Sequence, residues 1–253
     1  MLLQIDSLTK TFGGLMAVNR FDMGVEEGQI VGLIGPNGAG KSTIFNLITG
    51  VLRPSLGTVH FAGRDITNKL PDQVAALGVG RTFQLNPLFP EFTVLENVTS
   101  SFYLHPRSNF FQMFFGTRTY KRNEAFIANK ARDILELVGL AKVSGELARN
   151  LPHGHQKMLG VARALATTPR PLLLDEPLAG MNPSEIRSSL DAIRSMRDSG
   201  ITVLIVEHNM QILNLCDRVV VISFGKKITE GTPAEVRANS EVVSAYFGTD
   251  HVC

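Results

Sequence analysis

An α/β fold organised around a phosphate-binding loop is what this sequence predicts, and three stretches carry the prediction. The run Gly35-Pro-Asn-Gly-Ala-Gly-Lys-Ser-Thr43 fits the spacing G-x-x-x-x-G-K-[ST] without a mismatch. It stands between an apolar strand pattern at Gln29 to Ile34 and a helical apolar face of Ile44, Phe45, Leu47 and Ile48. The run Pro171-Leu-Leu-Leu-Asp175-Glu176 reads as an apolar strand ending in two acids, the pattern that sets a carboxylate beside the metal of such a loop. Ile201 to Val206 is a third strand and leads into Glu207-His208, at a strand end where open α/β sheets place their chemistry.

Within the loop, Gly35, Gly38 and Gly40 let the backbone fold back and bring consecutive N–H groups against an anion, with Pro36, Asn37 and Ala39 between them. Lys41 adds a mobile positive charge for the β- and γ-phosphates, Ser42 a hydroxyl for Mg²⁺, and Thr43 a further hydroxyl near the phosphates. The helix begins at the loop, so the positive end of its dipole faces the anion with up to ~2 kcal/mol of stabilisation. Asp175 is suited to orient the metal through its water shell, and Glu176 to polarise the water that attacks the γ-phosphorus.

Composition sets the outer bounds. With 253 residues, 44% of them hydrophobic and 19% charged, the chain can bury one large core with a subsidiary lobe. A net charge of +2 argues neither for nor against a polyanionic partner. The longest apolar runs fall well short of the roughly 18 residues that span a bilayer, and Met1 to Asp6 lacks the basic start and apolar core of a signal peptide, so a cytoplasmic location is expected. Cys216, placed by the pattern inside a helix, and Cys253 have no metal-ligand spacing, and neither a disulfide framework nor a zinc site is expected. There is no internal repeat and no low-complexity segment.

Taken in order, Leu2 to Leu8 and Met16 to Val25 read as strands joined at Gly13-Gly14. Phe12, just before that turn, either stacks on a base or packs in the core. Val59 to Ala62 and Gly63 to Asp65 suggest a hairpin, Pro71 to Leu77 a short helix, and Val79 to Phe83 a strand ending at Gln84. Leu85 to Phe92 is apolar, broken by proline and expected to be a loop. Thr93-Val-Leu-Glu96 is a capping box that opens a helix. Residues 103–117, with Phe102 beside them, are rich in aromatics, and packing inside a helical lobe is favoured over a membrane-facing contact. Lys121 to Gly139 is an amphipathic helix with Ile127, Ala131, Ile134, Leu135 and Val138 on one face and Lys121, Arg122, Lys130 and Arg132 on a solvated one. Asn182-Pro183 caps a helix whose apolar residues Ile186, Leu190, Ile193 and Met196 follow its spacing.

The loop, Gln84, the segment Leu151-Pro-His-Gly-His-Gln156, Leu172 to Glu176 and His208 stand in the order and spacing of the ATP-binding cassette (ABC) ATPases, and nearly the whole chain resembles that family. Arg81-Thr-Phe-Gln84, Leu88 to Asn97, Leu178-Ala-Gly-Met-Asn-Pro183 and Gly225 to Val236 are most similar to the ATPase subunits of importers for branched-chain amino acids and related hydrophobic amino acids or amides. The resemblance implies a single P-loop NTPase domain of ABC type over 1–253. Its core and N-terminal β-subdomain would take 1–84 and 160–253, and an inserted helical subdomain about 85–159. It implies ATP and Mg²⁺ as cofactors, Phe12 stacked on adenine and Val18 under the base. Ser42, Gln84 and, through water, Asp175 would hold the metal, with Gln84 sensing the membrane partner. Glu176, His208 and Gln84 would be catalytic, His208 as the switch on the γ-phosphate. Gly154 would meet the γ-phosphate of an opposite subunit.

Two departures qualify the resemblance. The family signature is Leu-Ser-Gly-Gly-Gln, and here Pro152 replaces the serine, His153 the first glycine and His155 the glutamine. Asn182 stands where many members carry an aspartate. The expected assembly is two transmembrane permease subunits, with the loop Leu85 to Phe92 forming part of a groove for a cytoplasmic permease helix, and a second ATPase subunit. A heterodimer is favoured over a homodimer because Pro152 lacks the serine hydroxyl. A substrate-binding protein would be an indirect partner, nucleic acid is not expected, and the location is peripheral, on the cytoplasmic face of the inner membrane. The alternatives are the ATPase of a lipopolysaccharide-type exporter and a non-transport ABC ATPase.

Overall fold

A computed structural model describes residues 1–82, 88–102, 118–208 and 210–242. The chain divides into two compact units, one made of Met1–Arg81, Arg170–Glu176 and the part from Arg197 onward, the other of Thr82–Pro169 and Pro177–Met196.

The first unit holds two sheets among its described residues. A four-stranded antiparallel sheet has the order β2-β1-β4-β5, from β1 (Leu3–Phe12), β2 (Leu15–Val25), β4 (Leu56–Phe61) and β5 (Arg64–Asp65). Gly13, at φ +56°, turns the β1–β2 hairpin, so that Phe12 pairs with Leu15 at its tip. The six-stranded sheet runs β10-β9-β3-β8-β7-β6, with β3 (Ile30–Ile34), β6 (Gly80–Arg81), β7 (Pro171–Asp175), β8 (Thr202–Glu207), β9 (Arg218–Ser223) and β10 (Lys226–Gly231). All neighbours are parallel except β9 and β10. Every residue of β3, β7 and β8 is buried, which is why these strands read as unbroken apolar runs rather than alternations.

Parallel pairing decides where the three strands end. β8 lies between β3 and β7, with Ile34 opposite Glu207 and Asp175 opposite Val206. The loop after Ile34, the acids Asp175 and Glu176, and Glu207-His208 therefore leave the sheet at one edge. Helix α1 (Lys41–Ile48) follows the loop and buries Ile44, Phe45, Leu47 and Ile48, while α2 (Pro71–Ala76) buries Val74.

The second unit is helical. Helix α3 (Val94–Phe102) opens at the expected box, where Thr93 N–H donates to Glu96 Oε2 at 2.7 Å and Glu96 N–H to Thr93 Oγ1 at 3.2 Å. It packs against α4 (Arg118–Leu137) and α5 (His153–Leu165), and α4 packs against α5. Along α4, Ala131, Leu135 and the following Val138 are buried while Arg122, Lys130 and Arg132 are exposed, and Gly139 stops the helix at φ +77°. In α6 (Pro183–Asp198), Asn182 Oδ1 accepts from the N–H groups of Ser184 and Glu185, both at 3.0 Å, a true N-cap. The last helix, α7 (Pro233–Ala238), belongs to the first unit and is capped by Thr232.

Several boundaries differ from the sequence reading. β1 runs on to Phe12, because its pairing with β2 continues to the turn, and α4 starts at Arg118. β6 is only two residues long, with Phe83 outside the described residues. Cys216 is not helical: a 3₁₀ turn over Met210–Asn214 ends before it, and the residue is buried on the way into β9, its Sγ in the space a Cβ on Gly32 would enter. Burial pushes the Cys216 thiol up to about 12, which removes its reactivity. Residues 103–117 and Leu85 to Pro87 also lie outside the described residues.

A fully buried amide holds the visible end of the Leu85–Phe92 stretch. Asn97 accepts from Phe89 N–H at 2.9 Å and donates to the carbonyls of Phe89, Thr93 and Phe92 at 2.9, 3.0 and 3.3 Å. Replacing it with leucine strands these groups, each worth roughly 1–3 kcal/mol when unsatisfied in the interior. Asn97→Leu is expected to lower the unfolding free energy by about 3 kcal/mol in chemical denaturation, and an unchanged transition would show that the amide is dispensable.

Candidate functional site

The phosphate loop joins β3 to α1 and uses its glycines for different reasons. A Cβ on Gly35 would come within 2.1 Å of the Ile222 carbonyl oxygen, so that position needs close approach. Gly40 needs both space and conformation, being at φ +106° with the Ala17 carbonyl 2.6 Å from where a Cβ would sit. Lys41 Nζ donates to the carbonyls of Gly35 and Pro36 at 2.6 and 2.9 Å. Burial pushes the pKa of this amine down from its ordinary value, while the charges of Glu176, Glu207 and Asp175 work to raise it. The ammonium is thus held in a field of three carboxylates, ready to leave two loop carbonyls for a more negative ligand.

A cavity of about 480 Å³ opens over the loop. Asn37 to Thr43 line it from the loop, Glu176 from the end of β7, and Phe12, Leu15, Met16 and Ala17 from the β1–β2 hairpin, with the exposed Phe224 and the buried Gly225 completing the lining. Volume and lining suit a small molecule with one polyanionic end and one flat apolar end. Of the sequence-predicted residues, Phe12, Asn37, Gly38, Ala39, Gly40, Lys41, Ser42, Thr43 and Glu176 meet there. Val18 does not, since it is fully buried in the core of the first unit, and its β2 neighbours Leu15 to Ala17 form the wall instead. The sequence reading missed Leu15, Met16, Ala17, Phe224 and Gly225; Gly13-Gly14 and Gly225 marked their turns, but nothing local paired two distant hairpin tips.

Beyond the cavity lining, Asp175 is buried and bonded through Oδ2 to Arg81 Nη2 at 2.8 Å. Arg81 Nη1 also donates to Asn46 Oδ1 at 2.7 Å and Thr49 Oγ1 at 3.0 Å, and its guanidinium lies 5.5 Å from the centroid of Phe45. One planar cation therefore ties α1 and β7 together. Glu176 has φ +47°, a left-handed conformation that costs a non-glycine residue of order 1–3 kcal/mol. Its N–H donates to the Val206 carbonyl at 3.0 Å, and its Oε1 lies 4.0 Å from His208 Nδ1. His208, about half exposed, also lies 3.8 Å from Oε2 of the fully buried Glu207.

The remaining predicted residues belong to the second unit or lie outside the described residues. Pro152 is the N-cap of α5 and makes no side-chain capping bond; His153, Gly154 and His155 form the first turn of that helix. A Cβ on Gly154 would come within 2.8 Å of Glu185 Cδ, so a larger residue there would have to displace the Glu185 side chain. Gln84 lies outside the described residues.

Residues 18–179 match the sequence model of the ABC transporter family. The chain belongs to that family. Its last strand and the residues after it, 226–252, match a second model, described as a branched-chain amino acid ATP-binding cassette transporter. The cassette is 40% identical over 249 residues to the high-affinity branched-chain amino acid transport ATP-binding protein BraF of Pseudomonas aeruginosa, with 98% of each chain covered. It is 37% identical over 249 residues to the LivG protein of Escherichia coli K12, described in the same words, again with 98% of each covered. Among solved structures it superposes on the ADP conformation of an ATP-binding cassette of an ABC transporter, with a TM-score of 0.84, 34% identity and 98% of each chain covered. The fold is accordingly that of a P-loop NTPase cassette, a nucleotide-binding domain.

The Arg81–Asp175 pair is the most deeply buried ionic contact among the described residues, with side-chain exposures of 7% and 3%. Removing one partner of such a pair costs about 3–5 kcal/mol, because it leaves the other charge buried. Arg81→Met is expected to lose that much in urea unfolding, and the double variant Arg81→Met/Asp175→Leu to recover most of it. An equal loss in both would place the instability in packing rather than in the pair.

Proposed function

We propose that this cassette is the ATP-hydrolysing subunit of an importer for branched-chain or related hydrophobic amino acids or amides. It works on the cytoplasmic face of the inner membrane, docked on two permease subunits that receive solute from a binding protein. The observation that supports the catalytic part is the shared strand edge: Lys41 and Glu176 line one cavity, and His208 Nδ1 lies 4.0 Å from Glu176 Oε1. The solute class is supported by the relatives' descriptions and by the match of residues 226–252. No helix among the described residues is long and apolar enough to cross a membrane, as suits a subunit that relies on partners for passage.

Phosphoryl transfer is mainly positioning and charge stabilisation, and the chain supplies both. The loop N–H groups and Lys41 hold the phosphates; Phe12 offers its ring to the base. Glu176 is the general base, lifted into the cavity by its left-handed backbone. His208, with Nδ1 4.0 Å from Glu176 Oε1, is the switch on the γ-phosphate in this reading. Ser42 and Asp175 present oxygen donors only, a hard set that fits Mg²⁺, and the described residues contain no cluster of three or more acids, histidines or cysteines that would suit a metal held by protein alone. When bound, Mg²⁺ would neutralise developing charge on the phosphates. Gln84 completes the reading as the residue that reports permease contact. Glu176→Gln is expected to keep ATP affinity and lose about 10²–10⁴-fold in turnover, measured side by side on the assembled transporter; unchanged hydrolysis would remove Glu176 from the mechanism.

The cassette acts as a dimer in this reading, and Pro152 favours a partner of different sequence. Proline at the N-cap offers neither a hydroxyl nor an N–H, so one charge-assisted hydrogen bond, worth roughly 1.5–3 kcal/mol, is missing toward an opposite γ-phosphate. A partner with an intact signature would complete the site built on Lys41. Inactivating Lys41 here and the equivalent lysine in the partner, separately, should cost more transport-coupled ATPase in the first case. Equal losses, or full activity of this chain paired with itself, would refute the asymmetry.

A further inference from the structure

Phe224 is 91% exposed, the most exposed of the large apolar side chains in the described residues. It occupies the turn between β9 and β10 at φ +46°, where glycine or asparagine would sit without strain. Six non-glycine residues among those described have positive φ, and only Glu176 and Phe224 of these line the cavity over the phosphate loop. A large apolar ring that is both solvated and strained contributes nothing to the core, and such outliers cluster at ligand-binding sites.

That position is firmly set. Gly225 N–H donates to the Ala39 carbonyl of the phosphate loop at 2.9 Å, and the Gly225 carbonyl accepts from Asn19 N–H at 2.8 Å. The turn is therefore tied on one side to the loop and on the other to β2. On the β1–β2 hairpin Phe12 is 45% exposed, and the Lys10 ammonium, anchored on the Arg53 carbonyl at 2.7 Å, stands 5.1 Å from its ring centroid. The cation covers one face of Phe12 and leaves the other for stacking.

We propose that Phe224 is a second base-contacting residue, which closes on the purine of a bound nucleoside triphosphate from the β9–β10 turn while Phe12 stacks on it from the hairpin. The inference rests on the reading of this cavity as a nucleotide site and adds to it a contact made by a distant turn. Two aromatic surfaces recognise the flat base without reading its edge, so they favour purines by stacking area and do not separate adenine from guanine.

The test compares binding of ATP, GTP and inorganic tripolyphosphate to the full chain by calorimetry. Phe224→Asn suits the turn, so the variant should melt no lower than the parent. It should bind ATP and GTP about five- to tenfold more weakly, the lower part of the range for loss of one base–aromatic stack, and bind tripolyphosphate as before. Phe12→Ala should behave alike, and Phe224→Tyr should retain affinity. Unchanged ATP affinity in Phe224→Asn, with a loss in Phe12→Ala, overturns the role of Phe224 and leaves the nucleotide site standing. Equal weakening of ATP and tripolyphosphate also overturns it, since the turn would then act through the shape of the loop. If Lys41→Ala binds all three ligands as the parent does, the nucleotide reading itself falls, and this inference with it.

Discussion

Parallel pairing of β8 with β3 on one side and β7 on the other is the constraint on which the site depends. In parallel neighbours the carboxyl ends of the strands point the same way, so whatever follows each strand emerges on one edge. Three segments more than a hundred residues apart in part thus become neighbours: the loop after Ile34, the acids at Asp175 and Glu176, and Glu207-His208. Burial of both faces of these strands makes a shift of register expensive, since each side chain is packed. The positions of Glu176 and His208 are thereby fixed to those of the core strands that carry them.

Around that edge the cassette keeps several charges out of water, and each has a reason to be tolerated. Arg81 answers Asp175 directly and spreads its remaining donors over Asn46 and Thr49, so that helix α1 and strand β7 share one hydrogen-bond network. Lys41 lies between loop carbonyls and the field of three carboxylates, where burial disfavours its charge more than the carboxylates favour it, and no close ion pair among the described residues matches it. A phosphate arriving there finds a donor already desolvated, the arrangement that strengthens electrostatic interaction at a reacting centre. Glu176 adds conformational strain to the same corner, a cost that the surrounding sheet maintains.

The phosphate loop was legible because its spacing is local: glycines, lysine and hydroxyl are contiguous, and the turn they make is dictated by neighbours in sequence. The capping box at Thr93 and the cap at Asn182 were legible for the same reason, each closing within three residues. A strand reveals its alternation but not its distance from a cavity: in β2 the lining residues are Leu15 to Ala17, while Val18 is buried in the core. Cys216 was read as helical from a pattern that continues past the 3₁₀ turn, whereas the tertiary path sends the chain directly into β9.

By itself the sequence determined the α/β class, the loop and its anion chemistry, the acidic and histidine-bearing strand ends, and the family they resemble. Only the tertiary structure decided which strand lies between which, and so which side chains share the cavity. It alone brought Arg81 to Asp175, Asn97 to the carbonyls around Phe89, and Phe224 to the cavity over the phosphate loop. The reason is range: turns and caps are settled by bonds between residues a few positions apart, whereas sheet order and the meeting of hairpin tips are settled by burial of apolar area contributed from the whole chain.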